Sequence, residues 1–520
     1  MAVDYGAARS TELSTGPDVA ARIGLSREQL GHVRRIQSLA NQLPNDWSGM
    51  QGKGGQDGFG GYRFQLAYAA YALGLAYRHR LPNAPGVFKS TFARLIDKML
   101  LPDVWMYWRD SSRGGNLYNA HLDDKLQEEW DPVGRDNIMY SAYLQSMSTM
   151  FNLLFDDDRY ARPGALSIEH WSFFWGGDAK CFPYDQNSLN EHLYWLMVEN
   201  GYLGIACEPN CVFQICNQPA IIGFRLHDIL TGGNLAEDVV AGYERAWSDY
   251  GRIDENGHYV LLITEDDKVA HNLPNEFNPW ADAWCGALMN SWNREFVHNH
   301  YPRQISKYLV PDSSGALQLV ATPPVLHNGK PVERDTNDFG WVAVWASEMG
   351  DQATLDGLLA HADHYMNPTW QDGALYYPRC DAPADEQGNA TAVGPLTGNS
   401  LLSYARLNVA DGMWTLYNKP WDRSHFREPL VVDLSESVDL TRAEFDRTAR
   451  QLIMRVAQRE GYSAGGRIDI ANVASEFSLS VDGRETDGVH FSRQGELLNI
   501  PCPSGGPHEL ILTVPTWEAR

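Results

Sequence analysis

The chain has 520 residues, enough to bury a large core and to divide into more than one folded unit. Asp and Glu outnumber Lys and Arg by 66 to 42, a formal charge of -24, which argues against a nucleic-acid backbone or an anionic membrane as partner and leaves a neutral substrate open. Seven cysteines, few and odd in number, suit a reduced, cytoplasmic protein better than a disulfide scaffold. Met1-Ala-Val-Asp opens no apolar secretory run, and no uninterrupted apolar stretch is long enough for a membrane span.

Residues 1–25 are small, polar and interrupted by Gly and Pro, and read as a loose arm. Ser26 opens a helix to about Leu43, with Gln29 at the capping-box position. The glycine-rich run from Pro44 to Gly55, holding Asp46 and Trp47, reads as a loop, at the surface or across the mouth of a cavity. Phe64, Tyr68, Tyr71 and Leu75 mark a buried helix over 61–80, and Phe88 to Leu101 a second. Val104 to Trp108, including Trp105, is an aromatic turn after Pro102. A third helix runs from Asn137 to Leu154, with Asp136 before it as its cap or as a general base, and Met139, Tyr143 and Ser146 roughly on one face.

Helices are then expected over 189–200, 217–230 (capped by Asn217) and 234–250, followed by a short strand from His258 to Ile263. Asn278-Pro-Trp280 opens another helix, on which Trp280, Trp284 and Leu288 recur every fourth residue. Further helices fall at 338–348, 352–365 and 396–415, with a strand after the turn at Asp372-Gly373. About a dozen helices joined by Trp-, Asp- and Gly-bearing loops suit a mainly α chain, an (α/α)6 barrel over 26–419. From 420 to 520 short apolar or alternating runs predict a β-rich C-terminal domain, interrupted by one helical run from Arg442 to Ala457.

Chemistry concentrates in Gly204-Ile-Ala-Cys-Glu-Pro-Asn-Cys-Val-Phe-Gln-Ile-Cys-Asn217. Cys207 and Cys216 meet if the chain turns at Pro209-Asn210, and Glu208 stands beside them. A thiol of lowered pKa or a carboxyl of raised pKa exchanges protons near neutrality. Zinc would need a fourth ligand near Cys207 and Cys211, and none follows at the usual spacing, so no metal is expected. A Cys207–Cys216 disulfide and plainly structural buried thiols are the other readings.

Cys207-Glu-Pro followed nine positions later by Cys216-Asn217, with Asp136-Asn-Ile-Met-Tyr140 and the pair Trp105 and Trp108, resembles the linalool dehydratase/isomerase family from about residue 60 to 360. The resemblance implies an (α/α)6 barrel and a cofactor-independent lyase or isomerase of dehydratase type. Its substrate would be a small apolar hydroxylated molecule, an unsaturated and terpenoid alcohol. Cys207 and Cys216 then match the proton-transferring thiols, with Glu208 beside them and Met139 in the pocket. Tyr143 stands where the family has a histidine, Leu66 where it has a tyrosine, and Asp46 near its N-terminal aspartate. Trp280, Asp282 and Trp105 are further candidates for the pocket wall. No nicotinamide or flavin fingerprint occurs, so no cofactor is expected, and a homo-oligomer is. Two other classes compete: a carbohydrate-active hydrolase, lyase or epimerase on the same barrel, needing paired carboxylates across a groove, and a non-catalytic binding protein with both thiols packed in core.

Overall fold

The structure is a computed structural model that describes residues 24–517, apart from 115–117, 123–124, 175–176, 273–278, 322–325, 328–329, 332–336, 463–464, 487–490 and 496. The expected arm therefore lies almost wholly outside the described residues, as does Asn278. Of the helices among the described residues, twelve build the barrel: α1 (Arg27–Asn41), α2 (Tyr62–His79), α3 (Pro85–Met99), α4 (Ile138–Phe155), α5 (Gln186–Glu199), α6 (Gln218–Thr231), α7 (Leu235–Ser248), α8 (Pro279–Met289), α9 (Arg294–Ile305), α10 (Asp338–Met349), α11 (Gln352–Tyr365) and α12 (Leu402–Leu407, entered through a π-helical turn Thr397–Leu401); Pro102–Trp105, Tyr107–Ser111 and Gly412–Asn418 are short helices beside them.

The even-numbered helices pack in a closed ring, α2 on α4, α4 on α6, α6 on α8, α8 on α10, α10 on α12 and α12 back on α2. Each odd-numbered helix lies outside, against its neighbours in the chain. This is the (α/α)6 barrel. The ring helices are apolar nearly all round, and on α2 every residue from Arg63 to Tyr77 is buried. The outer helix α1 is amphipathic and starts with the anticipated capping box: the Gln29 amide donates to Ser26 Oγ (3.2 Å) and the Ser26 amide to Gln29 Oε1 (2.8 Å). No helix among the described residues is long and apolar enough to cross a membrane.

Three local expectations need correction. Asp136 caps nothing: Asn137, in the left-handed region at φ 71°, precedes α4 without a side-chain cap. Asn217 is no cap for α6 either, because its amide is engaged by the preceding loop. The segment 396–415 is not one helix; α12 stops at Leu407, and Asp411 at φ 54° restarts the chain as Gly412–Asn418.

The C-terminal part is β-rich. Leu430–Leu434, Arg467–Ala471, Leu497–Pro501 and Ser492–Gln494 form one antiparallel sheet in that order. Val438–Asp446, Gln451–Gln458, His508–Thr513, Ser478–Val481 and Arg484–Glu485 form the other. The run from Arg442 to Ala457, expected to be helical, is the core of a hairpin. A bulge between Leu440 and Arg442 breaks the alternation that would have marked the first strand. The second alternates plainly, with Leu452, Met454 and Val456 buried.

Asn83, ahead of α3, fastens this region to the barrel with all four of its polar groups. Its amide donates to Ala443 O (3.2 Å), its carbonyl accepts from Val431 (2.8 Å), Oδ1 accepts from Phe445 (2.8 Å) and Nδ2 donates to Glu428 (2.8 Å). A polar pocket of about 550 Å³ opens between α1, α3 and the sheets, far from the cysteine segment in the chain and lined by none of the candidate residues.

Candidate active site

The cysteine segment folds back on itself. The Cys207 amide donates to Cys211 O (2.9 Å) and the Cys211 amide to Glu208 O (2.9 Å), so the chain reverses at Pro209-Asn210, with Asn210 at φ 68°. Cys211–Phe213 then pairs antiparallel with Leu262–Thr264. Asn217 clips the loop shut: its Oδ1 accepts from the Ile205 amide (2.8 Å), and Nδ2 donates to Ile205 O (3.0 Å) and Phe213 O (2.9 Å). Gly204 is obligatory there, at φ 129° with Asn217 Nδ2 only 2.7 Å from where a Cβ would sit. The closed loop sets Cys207 and Cys216 against each other as free, buried thiols. Among the described residues no group of His, Cys, Asp and Glu could hold a metal ion.

Burial pushes the Cys207 thiol far above the ordinary thiol range, and Cys216 and Glu208 beside it push the same way. Cys216 is also raised by burial, partly offset by Cys207. The Glu208 carboxyl is raised by burial and drawn back by the Cys207 thiol and the Arg63 guanidinium. Glu208 keeps some accessible surface although it lies deep among protein atoms.

Next to this trio lies an aromatic wall. Tyr68 and Tyr143 share a hydrogen bond between hydroxyls (2.8 Å), and both are affected electrostatically by Cys216. Trp284 stacks on Trp341 (centroids 4.5 Å, 10°), Tyr68 meets Trp341 edge-on (4.6 Å), and Phe64 meets Trp284 (5.3 Å) and Tyr143 (5.7 Å). Trp280 packs on Phe59 (4.7 Å). Met139 is buried one helical turn before Tyr143.

All of these side chains come from the first two turns of inner helices or from the loops leading into them. The six inner helices therefore start at one pole, and their positive dipole ends converge there. The glycine-rich loop crosses this pole. Gly49 O accepts from Asn399 (2.8 Å), Met50 O and Gly60 O from Gln65 (2.9 and 2.8 Å), and Phe59 O from Asn337 (3.3 Å), so the loop covers the mouth.

Several predicted residues lie elsewhere. Asp46 is half-buried on the outer side of that loop, where Oδ1 accepts from the Ser48 amide (3.0 Å) and hydroxyl (2.6 Å). Asp282 is fully buried, but it accepts from His258 Nδ1 (2.8 Å), the Tyr259 amide (2.9 Å) and the Tyr308 hydroxyl, a structural anchor beneath α8. Trp105 is core, its indole donating to Leu100 O (3.1 Å). Leu66, two residues from both Phe64 and Tyr68, projects from about the opposite side of α2. Conversely, Arg63, Tyr68, Phe64 and Trp341 belong to the site and were not singled out for it. The one available signal was Arg63, a cation opening an otherwise apolar helix.

The family model for linalool dehydratase/isomerase matches residues 63–383, more than half of the chain and all of the site except Phe59 and the loop over it. The chain belongs to the linalool dehydratase/isomerase family. It is accordingly an enzyme of hydro-lyase or isomerase type. Among solved structures it is similar to an α-amylase from Clostridium perfringens (11% identity, 73% of this chain and 98% of that one, TM-score 0.37). It is also similar to an unsaturated glucuronyl hydrolase specific for heparin (10%, 76% and 97%, TM-score 0.42) and a D-mannose isomerase (11%, 76% and 99%, TM-score 0.40). Likeness at that level carries no argument, and the barrel is assigned from its own closed ring of helices.

Proposed function

We propose that this protein eliminates water from, or isomerises, an unsaturated and terpenoid alcohol by acid–base catalysis without a redox cofactor. The observation that supports the reading is the meeting of Cys207, Glu208 and Cys216 beside the Tyr68–Tyr143 pair at an aromatic wall. The tyrosine pair holds the substrate hydroxyl. Cys216, nearest that pair, gives its proton to the departing oxygen as the carbon–oxygen bond breaks. Glu208, through Cys207, takes a proton from the neighbouring carbon as the double bond forms. Both thiols stay protonated at neutral pH because burial raises them, so they are proton donors at rest. Glu208, raised towards neutrality, is a competent base. Return of the proton from Glu208 through Cys207 to Cys216 resets the site, and water is the only by-product. The aromatic faces shelter positive charge developing on carbon.

Cys207→Ser and Cys216→Ser test this with linalool as probe, following product by mass alongside thermal unfolding. Each is expected to lose at least about 100-fold in kcat, the scale of a positioned acid or base, with little change in Tm. Wild-type turnover in both variants would end the catalytic assignment. A carbohydrate-active enzyme is the second reading, because one fold hosts unrelated chemistries and a helical barrel can serve that class as well. It predicts turnover of an oligosaccharide panel that survives both serine substitutions.

A further inference from the structure

Arg63 is an anomaly. It sits in the first turn of α2, where the helix dipole disfavours a cation, and it is only 1% exposed. Its guanidinium lies 4.2 Å from the Phe64 ring centre and 4.1 Å from that of Tyr107. Nη2 donates to Asp57 O (3.2 Å), Nη1 donates to Gln56 O, and Nε has no hydrogen-bond partner among the described residues. Carbonyls orient a buried cation without neutralising it, and a buried charge needs an opposite charge nearby.

The neighbours lead to the anion. The Tyr107 hydroxyl donates to Asn137 Oδ1 (2.5 Å), and the next residue, Ile138, donates its amide to Ala206 O (3.1 Å), immediately before Cys207. Arg63 and the thiol loop therefore share one wall. Facing Glu208 are Cys207 and Cys211 from its own loop, Cys216 before α6, Tyr107, Asp57 from the covering loop and Asp136 before α4. Among these described neighbours Arg63 is the one cation, while Asp57 and Asp136 both work against ionisation of Glu208.

We propose that Arg63 is the resident countercharge of the Cys207–Glu208–Cys216 cluster, a positioning residue that keeps Glu208 as its anion. With Glu208 ionised, protons run from carbon to carboxylate and from Cys216 to the leaving oxygen. Without Arg63, three buried acids share one space and all of them are neutral, which leaves the cluster no base. The proposal deepens the acid–base reading above and rests on it for its consequence in turnover. Its core, the ionisation of Glu208, is independent of the substrate.

The experiment is infrared spectroscopy of the full-length protein without substrate at pH 7, with the Glu208 carboxylic acid band assigned by difference against Glu208→Gln. The wild type and Arg63→Lys are expected to lack that band, and Arg63→Met to show it. In linalool turnover the acid limb of kcat/KM should move up by about one pH unit in Arg63→Met, a tenfold loss below it, and return towards wild type in Arg63→Lys. A purely structural role would lower Tm, with the band still absent in Arg63→Met and the limb unmoved. Should Arg63→Met not fold, Arg63→Gln, neutral but still a hydrogen-bond donor, replaces it. A Glu208 that stays ionised in the neutral variant overturns the proposal. If wild type does not turn over linalool, the substrate reading fails while the infrared comparison still decides the role of Arg63.

Discussion

Tyr143 occupies the place from which a neighbouring hydroxyl can be held, and its own oxygen is held in turn by Tyr68 at 2.8 Å. Burial raises both phenols far above their ordinary range, so each stays protonated, and in the proposed reaction they would position a substrate oxygen without carrying a proton. Tyr143→Phe is expected to cut kcat about 10- to 100-fold, and Tyr68→Phe to act in the same direction. The double variant should be little worse than either, because each single change breaks the same pair. Steady-state turnover of the three proteins checks this, and independent, multiplying losses would separate the two hydroxyls. The candidates Cys207, Glu208, Cys216, Met139 and Tyr143 came from their match to the family's motifs, and the fold brings the thiols and Glu208 together near Tyr143. Tyr68 and Arg63 were not legible, since a tyrosine or arginine in a buried helix looks like core until its partner, distant in sequence, is known. Asp46 and Asp282 misled for the converse reason: a carboxylate near the right place in sequence had local or structural donors already.

At the level of elements, the join between barrel and β-rich region includes a close contact of backbone on backbone. Gly86, in the first turn of α3, has the backbone of Val432 so close that a Cβ would lie 2.4 Å from its carbonyl carbon and 2.7 Å from the next amide nitrogen. No side-chain movement relieves that. Gly86→Ala should therefore push Leu430–Leu434 off α3, at about 1–3 kcal/mol for the overpacked contact, against about 1 kcal/mol gained in helix propensity. Thermal unfolding should show a lower Tm, and limited proteolysis faster cutting between Asn418 and Leu430. Unchanged Tm and cutting would mean that the sheet accommodates the methyl group by sliding. The sequence disclosed that the region is β-rich, from its short alternating runs. It hid the hairpin in Val438–Gln458 because one bulge shifted the alternation and regularly spaced charges imitated a helix.

For the whole molecule, eleven of the twelve barrel helices were legible as apolar or striped runs, while Arg294–Ile305, polar over most of its length and with Pro302 inside it, was not, and the ring closes through contacts no periodicity records. One lies at the pole opposite the thiols. Glu348, in the last turn of α10, is fully buried and accepts from Tyr404 Oη (2.7 Å) and Asn408 Nδ2 (2.9 Å), around the end of α12. Both its oxygens also accept from the Met413 amide (3.3 Å each), at the start of Gly412–Asn418. Burial pushes its carboxyl up to about 7, against the pull of these donors. The folded protein therefore holds a proton there that the unfolded chain, with a carboxyl near 4.5, has already lost. That contribution is complete below about pH 4.5 and disappears as pH rises through about 7, and it corresponds to roughly 3 kcal/mol. Glu348→Gln has no proton to lose. Between pH 5 and pH 8.5 the wild type should lose about 3 kcal/mol of stability relative to the variant, whatever the absolute stability of either. Paired denaturation curves across that range test it, and the difference between the two proteins cancels every other titrating group. Parallel curves would mean that the donors around Glu348 keep it ionised throughout, and that this pole is closed by charge-assisted hydrogen bonds instead of by a retained proton.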